Sequence, residues 1–108
     1  MLKIFSDNLF ETDIAKEEIS IIQFSASWCG PCKSLRPILD SLSTSPEYSD
    51  KNIGWYYADV EEASINTASA MGIRGVPTTI CFKKKIEVDR LVGNPGEAHV
   101  REWISKNV

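Results

Sequence analysis

Apolar positions along this chain fall into short runs of two kinds, one with the length of a strand and one with the period of a helix. Leu2 to Phe5 predicts a short first strand. Ile19 to Ser25 is an apolar run of strand length, which suits a central strand covered on both faces. Ile53 to Val60, Thr78 to Lys83 and Ile86 to Val92 predict three more strands, the last two close enough in sequence to form a hairpin. Between them, Asp7 or Asn8 can cap a helix to about Lys16 with Leu9, Phe10 and Ile14 as its apolar positions. Leu35, Ile38, Leu39 and Leu42 repeat at helical spacing, with Pro31 tolerable in the first turn and Pro37 expected to kink the helix. Ser64 to Met71 predicts a short helix that Gly72 can stop, Gly75-Val76-Pro77 then breaks the chain, and Glu97 to Lys106 predicts a last helix with Val100, Trp103 and Ile104 on one face.

The resulting order is β-α-β-α-β-α-β-β-α, an α/β arrangement. A strand-helix-strand segment with a right-handed crossover implies parallel pairing early, and the late hairpin implies antiparallel pairing at the end. A mixed central sheet of about five strands, flanked by four helices on its two faces, is therefore expected. No repeat, low-complexity tract or linker-like block interrupts the pattern, and residues 1–108 read as a single domain.

Composition changes this picture little and excludes several functions. With 12 Lys and Arg against 15 Asp and Glu, the net charge of −3 leaves no basic excess for a nucleic acid backbone or an anionic membrane. The one positive cluster, Lys83-Lys84-Lys85, falls between two strands and reads as a solvated hairpin tip. The first residues lack the apolar core of a signal peptide, and Gln23 interrupts the best apolar stretch, so a soluble, cytoplasmic protein is expected; the surface charge suggests a monomer.

Three cysteines are too few, and odd in number, for a disulfide-stapled scaffold, while Cys29 and Cys32 stand in a C-x-x-C spacing. At a helix start these two lie one turn apart on the same face, close enough for a reversible disulfide. Unpaired backbone N–H groups and the positive end of the helix dipole favour the thiolate at Cys29, making it the better nucleophile. Cys32, a turn deeper, is expected to be more buried and to attack the mixed disulfide that Cys29 forms with a substrate. Trp28 would set a flat apolar surface beside the exposed sulfur. Cys29, Cys32, Cys81 and His99 make a nominal Cys3His set, but without a second paired motif no metal is expected. Cys81 reads as a small buried hydrophobe and His99 as a surface residue.

The run Phe24-Ser25-Ala26-Ser27-Trp28-Cys29-Gly30-Pro31-Cys32-Lys33 resembles the active-site segment of the thioredoxin family. Pro37 is similar to the family's helix-kinking proline, Gly72-Ile73-Arg74-Gly75-Val76-Pro77-Thr78 to the segment that carries its cis-proline, and Val92-Gly93 to the glycine edge of its substrate groove. The resemblance covers essentially the whole chain. It implies the thioredoxin fold and a protein-disulfide reductase with no metal or bound organic cofactor, re-reduced by a thioredoxin-reductase-like electron donor. It also implies a cis Val76-Pro77 bond, and a substrate contact surface made by Trp28, Gly75, Val76, Pro77 and Gly93, with the Val76 main chain pairing with an extended substrate strand. Gly30-Pro31 between the cysteines resembles the reducing members rather than the oxidising ones.

Three positions depart from the family pattern. Where many members bury an aspartate on the central strand this chain has Gln23, and where they often pair it with a lysine it has Tyr57. Loss of both charged partners together is consistent with the cost of a lone buried charge. Without that carboxylate, Cys32 is expected to lose its proton to water or to the departing thiolate, slowing resolution near neutral pH. Lys85 stands at the hairpin tip where many members have glycine, leaving the turn type open. Two alternatives to a general reductase remain at this point: a binding module or accessory subunit in which the redox pair is incidental, and a reductase dedicated to one partner.

Overall fold

The computed structural model describes residues 2–108. Five strands, β1 (Lys3–Ile4), β2 (Ile19–Ser25), β3 (Ile53–Asp59), β4 (Thr78–Lys83) and β5 (Ile86–Val92), form one sheet in the order β1-β3-β2-β4-β5. β1 and β2 both pair parallel with β3, while β4 pairs antiparallel with β2 and with β5. The mixed sheet read from the sequence is the one observed, with its parallel half first and its hairpin last.

β2 lies at the centre, and six of its seven residues are buried. Alternation along it serves two cores. Ile21 joins Leu35, Leu39 and Leu42 of α1 (Gly30–Ser43) and Val100, Trp103 and Ile104 of α4 (Glu97–Asn107) on one face. Ile22 and Phe24 join Phe5, Ile14, Tyr56 and Ile80 on the other, under the N-terminal helical segment and α3 (Ile65–Ala70). Gln23 therefore points to the α1 face from the middle of the sheet.

Three helical details differ from expectation. The N-terminal helix is a 3-10 turn, Asp7–Leu9, continuing with π spacing over Phe10–Ile14. A fifth helix, α2 (Pro46–Ser49), is added between α1 and β3; it is too short for a periodic signal, and its burial of Tyr48 against the α1 core is what holds it. Pro37 lies inside α1, which continues to Ser43.

The third difference concerns Asp7. It does not cap its own helix but that of α3, sixty residues away: Oδ1 accepts the Thr67 N–H at 2.8 Å and Oδ2 the Asn66 N–H at 3.1 Å. Burial acts to raise its pKa, but the hydrogen bonds from Thr67 and Asn66 prevail and hold the carboxyl below the ordinary aspartate value. A folded-state pKa below the unfolded one gives stability that is present above the unfolded value and lost as pH falls through the folded one. Asp7→Ala is expected to lower stability by about 1 kcal/mol at pH 7. The gap between variant and wild type should close below about pH 4, read from paired urea titrations.

Two close approaches fix the remaining edges. Gly54 opens β3 where a Cβ would overlap the Glu17 carboxylate, which accepts hydrogen bonds from the Ser20 hydroxyl at 2.7 Å and the Tyr56 hydroxyl at 2.8 Å. Burial first, and then Glu17, hold the Tyr56 phenol above its ordinary pKa. The β4–β5 turn settles the open question at the tip: Lys84 and Lys85 both have positive φ, 50° and 75°, the pattern of a two-residue turn that matches strand twist. Glu18 and Glu11 pair with the two lysines across this turn.

Candidate active site

β2 delivers the chain directly to the cysteine pair. After Ser25 the strand ends, Ala26 turns inward, and Cys29 becomes the N-cap of α1 in extended conformation. Its sulfur accepts the Cys32 N–H at 3.1 Å, so the nucleophile expected from the sequence also satisfies a free donor of the first turn. Gly30 comes next with open space where a Cβ would stand, and Pro31 occupies the start of the helix, where its missing N–H removes nothing. Cys29 and Cys32 form a disulfide with their Cα atoms 5.3 Å apart.

Both sulfur-bearing residues are largely covered. Cys32 is 0% exposed and Cys29 3%, so the order of burial is as expected, but the Cys29 side chain offers only an edge to solvent in this disulfide state. Trp28, in contrast, is 69% exposed. Its indole N–H donates to the Glu61 carboxylate at 3.0 Å, which pins the ring beside the disulfide.

The second half of the site arrives from the loop before β4. The Val76-Pro77 peptide bond is cis, and the Val76 carbonyl oxygen lies 3.6 Å from Cys29 Sγ. Gly75 is held by the Thr78 hydroxyl, which donates to its carbonyl at 2.7 Å. The Gly93 N–H donates to the Pro77 carbonyl at 2.8 Å, so the glycine after β5 closes against the cis proline. A cleft of about 140 Å³ runs between Trp28, Val60, Ile73, Arg74, Gly75 and Val76. The larger cavity, about 420 Å³ beside Lys3, Glu17 and Gly54, lies at the opposite end of the sheet and touches none of these residues.

Trp28, Cys29, Gly30, Pro31, Cys32, Gly75, Val76, Pro77 and Gly93 are thus brought to one end of the sheet, with Gln23 beneath them. Gln23 is fully buried; its Nε2 donates to the Cys32 carbonyl at 3.0 Å and to the Ser25 hydroxyl at 2.8 Å. Tyr57, its register partner on β3, carries the Arg36 guanidinium over its ring at 3.9 Å. Cys81 is buried on β4, and burial pushes its thiol up to about 11, while His99 is exposed. Sequence reasoning gave no role to Glu61, Arg36 or Val60, and it singled out the segment that holds Ile73 and Arg74 without assigning those two to the cleft wall. Glu61 reaches Trp28 only through a tertiary contact across 33 residues, which no local pattern marks.

A cysteine pair at a helix N-terminus, at the edge of an open apolar cleft, is equipped for dithiol-disulfide exchange. The chain matches the family model "Thioredoxin" over residues 1–106. It is 38% identical over 96 residues to a thioredoxin of Aspergillus fumigatus, covering 82% of this chain and 84% of that one. With a thioredoxin of Rickettsia prowazekii it shares 31% identity across the full length of both. Among solved structures it is similar to Malassezia sympodialis thioredoxin, with a TM-score of 0.86 at 30% identity over 99% of this chain and 90% of that one. Plasmodium falciparum thioredoxin gives the same TM-score of 0.86 at 30% identity, over 99% and 100% of the two chains. The chain belongs to the thioredoxin family. Its activity is that of a protein-disulfide oxidoreductase, and the reading as a redox-incidental binding module is not favoured.

Proposed function

We propose that Cys29 is the attacking thiolate and Cys32 the resolving thiol of this oxidoreductase. The observation that carries the assignment is the placement of Cys29 as helix N-cap, its sulfur at the cleft edge beside the Val76 carbonyl, with Cys32 wholly enclosed behind it. In the first step the Cys29 thiolate forms a bond to one sulfur of a substrate disulfide and the other sulfur leaves as thiolate. In the second, Cys32 bonds to Cys29 Sγ, the Cys29–substrate bond breaks, and the substrate leaves reduced. Two electrons pass from the dithiol to the substrate, so no bound cofactor is needed.

The substrate is a disulfide in another protein, its extended main chain laid against Val76, with Trp28, Gly75, Pro77 and Gly93 as the surrounding contact surface. The exposed Trp28 face and the cleft beside it suit an apolar side chain next to the substrate cysteine. Gln23, Gly30 and Pro31 support the pair from below and from the helix start. A thioredoxin-reductase-like electron donor restores the dithiol, and the protein works as a monomeric, single-domain carrier of electrons in cytoplasmic redox homeostasis. The net charge of −3 supports a role away from nucleic acid and anionic membranes, and no described helix is long and apolar enough to cross a bilayer. Insulin reduction by dithiothreitol tests the reading. Micromolar protein should shorten the lag before the insulin B chain precipitates, whereas a lag equal to that of the reductant alone would overturn it.

A further inference from the structure

Cys32 is 0% exposed, and the side chain beneath it is Gln23, also 0% exposed. Both amide hydrogens of Gln23 are used, one on the Cys32 carbonyl and one on Ser25, which ties the first turn of α1 to the central strand. Its oxygen, Oε1, is buried with no partner, and so is the hydroxyl of Thr79, the register partner of Gln23 on β4. An apolar side chain would fill this space without stranding a polar atom, so packing alone does not account for an amide here. Among the described residues, no buried polar side chain is a carboxylate or a histidine.

The ionisable groups on the elements around the pair are exposed or already engaged: Asp40 on α1 accepts the Leu2 N–H at 2.7 Å, Lys83 on β4 is exposed, and Glu87 and Arg90 on β5 pair with each other. On α1, Lys33 is exposed and Arg36 lies over the Tyr57 ring. On β3, Asp59 accepts the Glu61 N–H at 2.9 Å, and on β5 Asp89 is engaged by Asn107 and Lys106 of α4. Cys81 on β4 is itself a buried thiol, and burial holds its proton, so it offers no base near neutral pH.

We propose that Gln23 is a positioning residue of the resolving step: its carboxamide clamps the Cys32 turn to the sheet while offering no base, so Cys32 ionises unassisted and resolution tracks the concentration of its own thiolate. The proton leaves to solvent before attack, the Cys32 thiolate bonds to Cys29 Sγ, and the Cys29–substrate bond breaks with its electron pair on the departing sulfur. This rests on the roles proposed above for the two cysteines, and the amide adds to them a defined pH dependence.

Stopped-flow mixing of the reduced protein with 5,5′-dithiobis(2-nitrobenzoate) separates the steps: the first aromatic thiolate released reports attack by Cys29 and the second reports resolution by Cys32. The leaving group is a weakly basic thiolate and gives little help with the proton. In the wild type the second rate should rise by close to tenfold per pH unit from about pH 6 to about pH 8 without a plateau, as for a thiol of ordinary pKa. Gln23→Leu should keep that slope but lower the second rate about fivefold at every pH, the equivalent of one ordinary hydrogen bond, with the first phase unchanged. Gln23→Asp should add a base and bend the profile within the same window. A wild-type plateau or inflection below pH 8, a Gln23→Leu second phase at the wild-type rate, or a Gln23→Asp profile superimposable on the wild type would each overturn the proposal. The wild-type profile decides even where the variants do not fold. Absence of the second release from wild type would instead overturn the cysteine roles on which it rests.

Discussion

Cys32→Ser is expected to halt turnover and leave the substrate covalently attached, whereas Cys29→Ser should halt turnover and attach nothing. The asymmetry comes from the position of the two sulfurs. Cys29 lies at the cleft edge, 3.6 Å from the Val76 carbonyl, and receives the Cys32 N–H at the positive end of α1, so it alone combines access to a substrate with stabilisation of the thiolate. Cys32 is enclosed and reaches only Cys29. With Cys32 replaced, the first exchange still proceeds but nothing within the molecule can break the mixed disulfide. Each variant should cut insulin reduction on the order of a thousandfold or more, because residues that act as a unit are not additive. Intact mass spectrometry after mixing with a peptide disulfide distinguishes them: a one-to-one adduct on Cys32→Ser and none on Cys29→Ser. An adduct on Cys29→Ser of similar yield would exchange the two roles.

How far the sequence reaches can be judged from β2 and the helix it leads into. The mainly apolar run from Ile19 to Ser25, which does not alternate strictly as a half-exposed strand would, marks a strand buried on both faces, and it places the C-x-x-C pair at a strand-to-helix transition. From there the helix-start chemistry of Cys29 is local and therefore legible. Gln23 is legible too, as a polar residue in an otherwise apolar context, although its hydrogen bond to the Cys32 carbonyl is not. Contacts across the fold leave no such trace. An aspartate before an apolar stretch is an equally good cap for its own helix or for another, and only the packing of the N-terminal segment against α3 sends Asp7 to Thr67. Glu61 reaches Trp28 across 33 residues, and nothing about a glutamate in a charged loop announces it. Burial of Cys29 to 3% is likewise a property of two loops closing together, the Trp28 loop and the Val76-Pro77 loop. Lys84 and Lys85 hide a turn that glycine or asparagine would have advertised, because the twist of β4 and β5 imposes positive φ on whichever residues stand there.

The same central strand that delivers the cysteines carries much of the stability, and Phe24→Ala should show it. Phe24 is fully buried on the face away from α1, edge-on to Phe5 at a centroid distance of 6.4 Å and paired in register with Ala58 and Thr78. Its register partners are small, so the ring itself fills the space between β2 and the N-terminal segment. Truncation would open a cavity that the flanking strands, held in a continuous five-stranded ladder, cannot collapse to fill. The expected loss is about 3–5 kcal/mol. That is a large part of the roughly 5–15 kcal/mol available to a domain of this size, and it corresponds to a fall in Tm of about 15–25 °C. Gln23, the residue before Phe24, points to the opposite face, so the amount of insulin reduced per folded molecule at about 20 °C should stay within about twofold of wild type. Circular dichroism melts of the oxidised protein, with activity normalised to the folded fraction, check both statements together. A Tm loss below about 5 °C would mean that Phe10 and Phe82, edge-on to each other at 5.6 Å in the same core, move in to fill the space. A loss of activity in fully folded protein would mean that the two faces of β2 are coupled through its backbone to the cysteine pair.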